Sequence, residues 1–85
     1  MEYPELIAKR ILQLCKERNI TIHRLATLSE ISDNSLEKIV QGKTKRPALH
    51  TIHSISLALD MKITEFLDFD EMNEVTFSDL RKVKR

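Results

Sequence analysis

The stretch TIHRLATLSEISDNSLEKIVQG, residues 21–42, sets the tightest limit on what this chain can become. It holds two short segments with helical apolar periodicity, 22–29 and 33–41, each opened by a hydroxyl residue. Thr21 stands before the first and Ser32 before the second, and Gly42 follows the second. A Ser or Thr oxygen accepts from the free amide N–H groups of a helix start. Gly ends a helix in the left-handed conformation without a Cβ clash. Only Glu30, Ile31 and Ser32 separate the two segments, so two short helices must meet across a tight turn. Leu25, Ala26, Leu36, Ile39 and Val40 form their inward set. Ala26 is small where the second helix crosses the first, and Ile31 is the apolar plug that fixes their angle.

The rest of the chain supplies what this pair packs against. At 85 residues there is one small domain, short for a self-sufficient core but sufficient for helices. One Gly and two Pro argue against sheet-rich turns and long loops. A first helix is expected over 4–18, with Pro4 in the turn where its missing N–H costs nothing. Ile7, Ile11, Leu14 and Cys15 recur along one stripe, Leu6 and Leu12 widen it, and Asn19 ends it. Ile20 is expected to pack under the next helix. After the loop to Pro47, a fourth helix is expected over 50–60, with Leu49 ahead of Ile52, Ile55, Ser56 and Leu59. A short fifth is expected over 64–69, with Thr64 as its cap, Phe66 and Leu67 buried, and Glu65 on the positive end of its dipole. The pattern then weakens. Residues 70–85, with Val75, Phe77, Leu80 and Val83, read as a tail, flexible or docked on a partner subunit, in which Ser78 caps one short turn. The expected fold is all-α: a compact five-helix domain over 1–69 and a C-terminal tail over 70–85.

Charge separates function classes. The formal net charge is only +1, but its placement is uneven. Asp68, Asp70, Glu71 and Glu74 crowd one stretch, Arg81, Lys82, Lys84 and Arg85 another, and KTKR forms a tight basic group at 43–46. A local patch, more than net charge, is the footprint of nucleic-acid binding. KTKR adjoins the one helix whose outer face is polar from its start: Ser32, Asp33, Asn34, Ser35, Glu37, Lys38 and Gln41. Asp33 and Glu37 repel phosphate, which suits a protein that needs a particular base pattern. His23, His50 and His53 do not match a zinc spacing, so no metal and no cofactor are expected; His23 and His50 fit better as donors on the phosphate side. Cys15, the one cysteine, excludes an internal disulfide and fits a reducing, cytoplasmic setting. MEYPEL is acidic and unlike a signal peptide, and no apolar run approaches the roughly 18–20 residues of a membrane span. Nothing places a nucleophile beside a base, so neither an enzyme nor a small-molecule substrate is expected.

The segment RNITIHRLATLSEISDNSLEKIVQGKTKRPALHTIHSISLALDMKITEFL resembles the Cro/phage-repressor type of helix-turn-helix domain, the xenobiotic-response-element family. The likeness covers roughly residues 7–67, and QGKTKRP is similar to the loop after the recognition helix in lambdoid phage repressors. The resemblance implies a lambda-repressor-like fold that binds double-stranded DNA as a homodimer, with two recognition helices in successive major grooves. Carried over by position, Asp33, Asn34 and Lys38 would read bases. Asp accepts from cytosine N4, Asn pairs with adenine and Lys donates to guanine. Thr21, Ser32, Gln41, Lys43, Lys45 and Arg46 would touch phosphate or flank the groove, with Ser35 and Glu37 on the same side. Met61, Ile63 and Thr64 would form the two-fold interface. Three departures stand out. Ile22 replaces a phosphate-binding Gln. Glu30 replaces a turn Gly, at about 1 kcal/mol for a left-handed residue with a side chain. Cys15 and Val40 replace an Arg–Glu pair that some phage repressors bury, a change that is often neutral or stabilising. The implied function is sequence-specific transcriptional regulation, as a repressor of phage or mobile-element type. The alternative is a protein-interaction or antitoxin-like module on the same scaffold, motivated by Ile22, the acids on the reading face and the mixed-charge tail.

Overall fold

The computed structural model describes residues 2–81 of the chain. The described residues contain helices and no strand: α1 (Tyr3–Glu17), α2 (Ile22–Ser29), α3 (Asp33–Val40), α4 (Leu49–Ala58), α5 (Ile63–Leu67), α6 (Asp70–Asn73) and α7 (Phe77–Arg81). The first five match the expected helices, with ends moved by one or two residues. The sixth and seventh are single turns within the segment read as a tail; Val83 and the other residues after 81 lie outside the described residues.

The caps explain the order of the helices. Thr21 Oγ1 accepts the Arg24 N–H at 3.0 Å and Ser32 Oγ accepts the Ser35 N–H at 3.1 Å, as their positions before α2 and α3 imply. The expected caps further on are corrected. Thr64 lies inside α5, whose N-cap is Lys62; there the Glu65 carboxylate accepts the Lys62 N–H at 2.9 Å. Ser78 lies inside α7, where Thr76 accepts the Asp79 N–H at 3.4 Å and donates its own N–H to Asp79 Oδ2 at 2.9 Å. In both turns a carboxylate three residues on reaches back to the N-cap amide, a pairing a search for hydroxyls overlooks.

Each of the first four helices ends the same way. Asn19, Glu30, Gly42 and Asp60 have φ of 52°, 59°, 73° and 58°, all left-handed. The N–H that follows each reaches the carbonyl five residues back: Ile20 to Cys15, Ile31 to Ala26, Lys43 to Lys38 and Met61 to Ser56, at 2.9–3.0 Å. This closes the last carbonyls of each helix and turns the chain sharply. Ile20, Ile31 and Met61 then lie half-buried against the core, so three of the turns also deliver an apolar side chain inward.

The core is built from the inward faces. Ile7, Ile11, Leu25, Leu36, Ile55 and Phe66 are all under 2% exposed, with Leu14, Cys15, Ala26, Ile39, Ile52 and Leu59 around them. Burying each large apolar side chain contributes roughly 1.5–3 kcal/mol. Leu12, expected to widen the α1 stripe, is 46% exposed and belongs to the outer face, while Leu6 is buried. Polar atoms inside are satisfied locally. Ser56 Oγ donates to the His53 carbonyl at 2.7 Å and Ser29 Oγ to the Leu25 carbonyl at 2.6 Å. Burial pushes the Cys15 thiol up, against the lowering effect of Arg18, which marks a packing residue and not a reactive thiolate.

Arg10 of α1 and Arg18 at its C-cap tie the later helices to it. Arg10 donates from Nε to the Phe66 carbonyl at 2.9 Å and from Nη2 to the Glu65 carbonyl at 3.0 Å, with its guanidinium 5.0 Å from the Phe69 ring centroid. Arg18 Nε donates to the Leu59 carbonyl at 3.1 Å. These are charged donors on the carbonyl ends of α5 and α4, where a cation is favoured. The short α6 packs on α1, with Met72 against the core and an exposed Lys9–Glu71 pair at 3.5 Å.

The left-handed Glu30 yields a stability prediction. Glu30→Gly removes a Cβ from a conformation that disfavours it, partly offset by the entropy of Gly in the unfolded chain. The expected gain is about 0.5–1 kcal/mol, or roughly 2–8 °C in Tm for a domain of this size. Thermal denaturation followed by circular dichroism measures it, and an unchanged or lowered Tm would contradict the strain assigned to this turn.

Candidate nucleic-acid interface

The helix α3 is amphipathic in a way that divides its duties. Leu36 is fully buried and Ile39 5% exposed, and these two hold the helix to α1 and α2. Asp33, Asn34, Ser35, Glu37 and Lys38 are all exposed, as is Gln41 just beyond the last turn. No apolar side chain interrupts that outer surface over the first turn. The start of α3 is held by Ser32, whose hydroxyl also donates to Ser35 Oγ at 2.9 Å. Asp33 sits in the first turn, where the helix dipole favours a negative charge.

The basic loop is folded back on the other end of the same helix. The N–H groups of Lys43 and Thr44 both reach the Lys38 carbonyl, at 2.9 and 3.3 Å. Gly42 makes this return possible, with φ of 73°. Thr44 is half-buried, while Lys43, Lys45 and Arg46 point their charges into solvent. One helix therefore carries the donors and acceptors that can meet base edges, and its C-terminal loop carries cations that can meet phosphates. Base contacts and backbone contacts are the two components that specify and position a DNA complex.

The start of α2 lies beside the start of α3. Its Thr21 cap is exposed, and His23 in the first turn approaches Asp33, Nδ1 to Oδ1 at 3.0 Å and to Oδ2 at 3.1 Å. The sequence reads His23 as a donor on the phosphate side; Nε2 is the nitrogen left for that role, since Nδ1 is engaged by Asp33. Sequence reasoning missed this contact, because the only signal for it was a His and an Asp each in the first turn of adjoining helices. Ile22 is half-buried against the core. His50 is exposed at the start of α4.

The residues proposed for a two-fold contact divide. Thr64 is exposed, while Met61 and Ile63 are half-buried and complete the core between α4 and α5. Leu57, 64% exposed one helical turn before Met61, was overlooked because it falls off the Ile52, Ile55, Leu59 stripe. An open groove elsewhere, between α1 and the end of α3, is lined by Leu12 and Val40 with Glu5, Lys9 and Lys16 at its rim, and no Ser, Thr, Cys or His lines it. Among the described residues no three His, Cys, Asp or Glu side chains gather as a metal site, and no helix is long and apolar enough to cross a membrane.

Comparison with known proteins bears on the family and the fold. No curated protein matches the chain. A solved structure, the prophage Lp1 protein 11, is 30% identical, with a TM-score of 0.78 over 88% of this chain and the whole of that one. The SinR protein in its complex with SinI protein has the same fold at 22% identity, with a TM-score of 0.69 over 89% of this chain and 75% of that one. The family model for the Cro/C1-type HTH DNA-binding domain matches residues 10–72, from the second half of α1 through α6. With α3 capped, outwardly polar and followed by a basic loop, the chain belongs to the Cro/C1-type helix-turn-helix DNA-binding domains.

Proposed function

We propose that this chain is a transcriptional repressor of phage or mobile-element type that binds a two-fold operator as a homodimer and occludes a promoter. The observation that carries the reading is α3, rigidly capped, polar along its outer face and returned at Gly42 into a loop with three exposed cations. Asn34, Lys38 and Asp33 would read base edges; Thr21, Ser32, Ser35, Glu37, Gln41, Lys43, Lys45 and Arg46 would border the groove or touch backbone. Two recognition helices would enter successive major grooves about one helical turn (~34 Å) apart. Exposed Leu57 and Thr64, flanking the α4–α5 turn, support a contact between copies on that side, with Met61 and Ile63 backing it from within.

A protein-interaction role, antitoxin-like, is the second reading. Phe77 is 79% exposed and Leu80 45%, an apolar pair on α7 outside the core cluster. Under that reading Phe77→Ser removes binding to a protein partner, while the loop cations do not matter to it.

The deciding experiment is selection from a random duplex library at near-physiological salt. A two-fold symmetric motif is expected, and no enrichment from folded protein would sink the repressor reading. On the selected site, Lys45→Ala combined with Arg46→Ala should weaken binding to every sequence alike and shrink the salt slope by up to ~2. Asn34→Ala should relax preference at one position of each half-site, by roughly 1–3 kcal/mol of discrimination. An unchanged motif would show that Asn34 reads no base. Thr64→Glu should leave the melting temperature intact and shift the sedimentation equilibrium to monomer; a dimer that persists would place the interface elsewhere.

A further inference from the structure

The contact between His23 and Asp33 joins the first turns of α2 and α3, and packing does not explain it. Both side chains are well exposed, 78% and 57%, yet the ring nitrogen lies within 3.0–3.1 Å of both carboxylate oxygens. A lone pair on Nδ1 would face two anionic oxygens, so Nδ1 carries the proton and donates to Asp33. We propose that His23 is a positioning residue for DNA reading: it holds the Asp33 carboxylate at the tip of α3, and its charge sets how that carboxylate meets the duplex. This rests on the DNA-binding reading above.

The chemistry follows from the tautomer. With Nδ1–H committed to Asp33, protonation changes only Nε2, which has no protein partner among the described residues. In the neutral ring Nε2 is an acceptor, and the pair presents a net charge of minus one to phosphates. In the cation Nε2 becomes a donor, and the pair is neutral. Histidine is the side chain that ordinarily makes this change between about pH 5 and pH 8. Lower pH therefore removes a repulsion and adds a donor at the same place, while the carboxylate stays an acceptor for a base such as cytosine.

The other charged groups near this corner do not reproduce the effect. Glu37 lies one turn along α3 from Asp33, and Arg24 is the next residue on α2. At the C-cap of α1, which also packs on α2, Arg18 is occupied by the Leu59 carbonyl. Helix α4 packs on α2 as well and carries two further imidazoles, His50 and His53, so the test must change His23 alone.

The test uses the full chain, His23→Gln, Asp33→Asn and the double variant, each checked for an unchanged melting temperature. Library selection and titration of the selected duplex are run at about pH 6 and about pH 8. The unmodified chain should bind about two- to five-fold more tightly at the lower pH, the scale of one exposed ion pair. In His23→Gln that difference should vanish. Base preference should change at the same operator position as in Asp33→Asn, and His23→Gln should alter that preference no further in the Asp33→Asn background. An unchanged pH response in His23→Gln, or a motif altered by Asp33→Asn but not by His23→Gln, would overturn the proposal while leaving DNA binding intact. No enrichment by the unmodified chain at either pH would remove the DNA-binding reading and this proposal with it.

Discussion

The geometry of this domain depends on a left-handed residue at the end of each of its first four helices. With one glycine in the whole chain, three of the four are side-chain-bearing residues, Asn19, Glu30 and Asp60. Each closes its helix with the same amide-to-carbonyl bond five residues back. The turn between α2 and α3 is the consequential one. Glu30 fixes the direction of exit, Ile31 drops into the core, and Ser32 is then in place to cap α3. A polar helix face is only useful if it is held at a defined angle, and this sequence of three residues defines it.

The surface and the core are linked through the same short helix. Leu36 and Ile39 seat α3, so its outer residues inherit the rigidity of the interior. Gly42 then turns the chain so that the cations of the loop lie off the end of the reading face and not across it. A Cβ added at Gly42 would meet only the Glu5 side chain, at 4.0 Å, so it is the positive φ and not crowding that calls for glycine there. Cys15, buried on α1, and Val40, half-buried on α3, are both apolar and bring no charge to be neutralised into the interior. Arg10 and Arg18 work at the surface and C-cap of α1, on carbonyls at the ends of α5 and α4.

Much of this was legible in the residues. Hydroxyl caps at Thr21 and Ser32, the stop at Gly42 and the spacing of Ile7, Ile11 and Leu14 place three helices and their inner faces without further information. The polar residues of α3 and the KTKR loop could be read for the same reason, since exposure on a short helix follows from its period. Legibility ended where geometry between helices decides. Leu12 lies at the edge of its stripe, and only the placement of α3 and its groove shows that nothing covers it. The caps at Lys62 and Thr76 are made by carboxylates three residues later, so hydroxyls at Thr64 and Ser78 misled. The His23–Asp33 contact depends on how two helix starts converge, which no periodicity records. The single turns α6 and α7 are too short to leave a periodic signature.

The Arg10 bonds bear on how such a chain comes into being on a ribosome. They join residues 56 and 55 positions apart, and Phe66, fully buried, comes from the same late segment. Bundle proteins fold fast because most of their contacts are local, but these contacts wait for the chain to be nearly complete. A nascent chain that has yet to emit α5 can pack α1 on α2 and α3 but lacks Phe66 from its core and the two carbonyls that Arg10 meets. The two central helices thus rest on a core that is completed only when α5 arrives. A fragment ending before Phe66 carries α3 and its basic loop without the one aromatic side chain that fills the core.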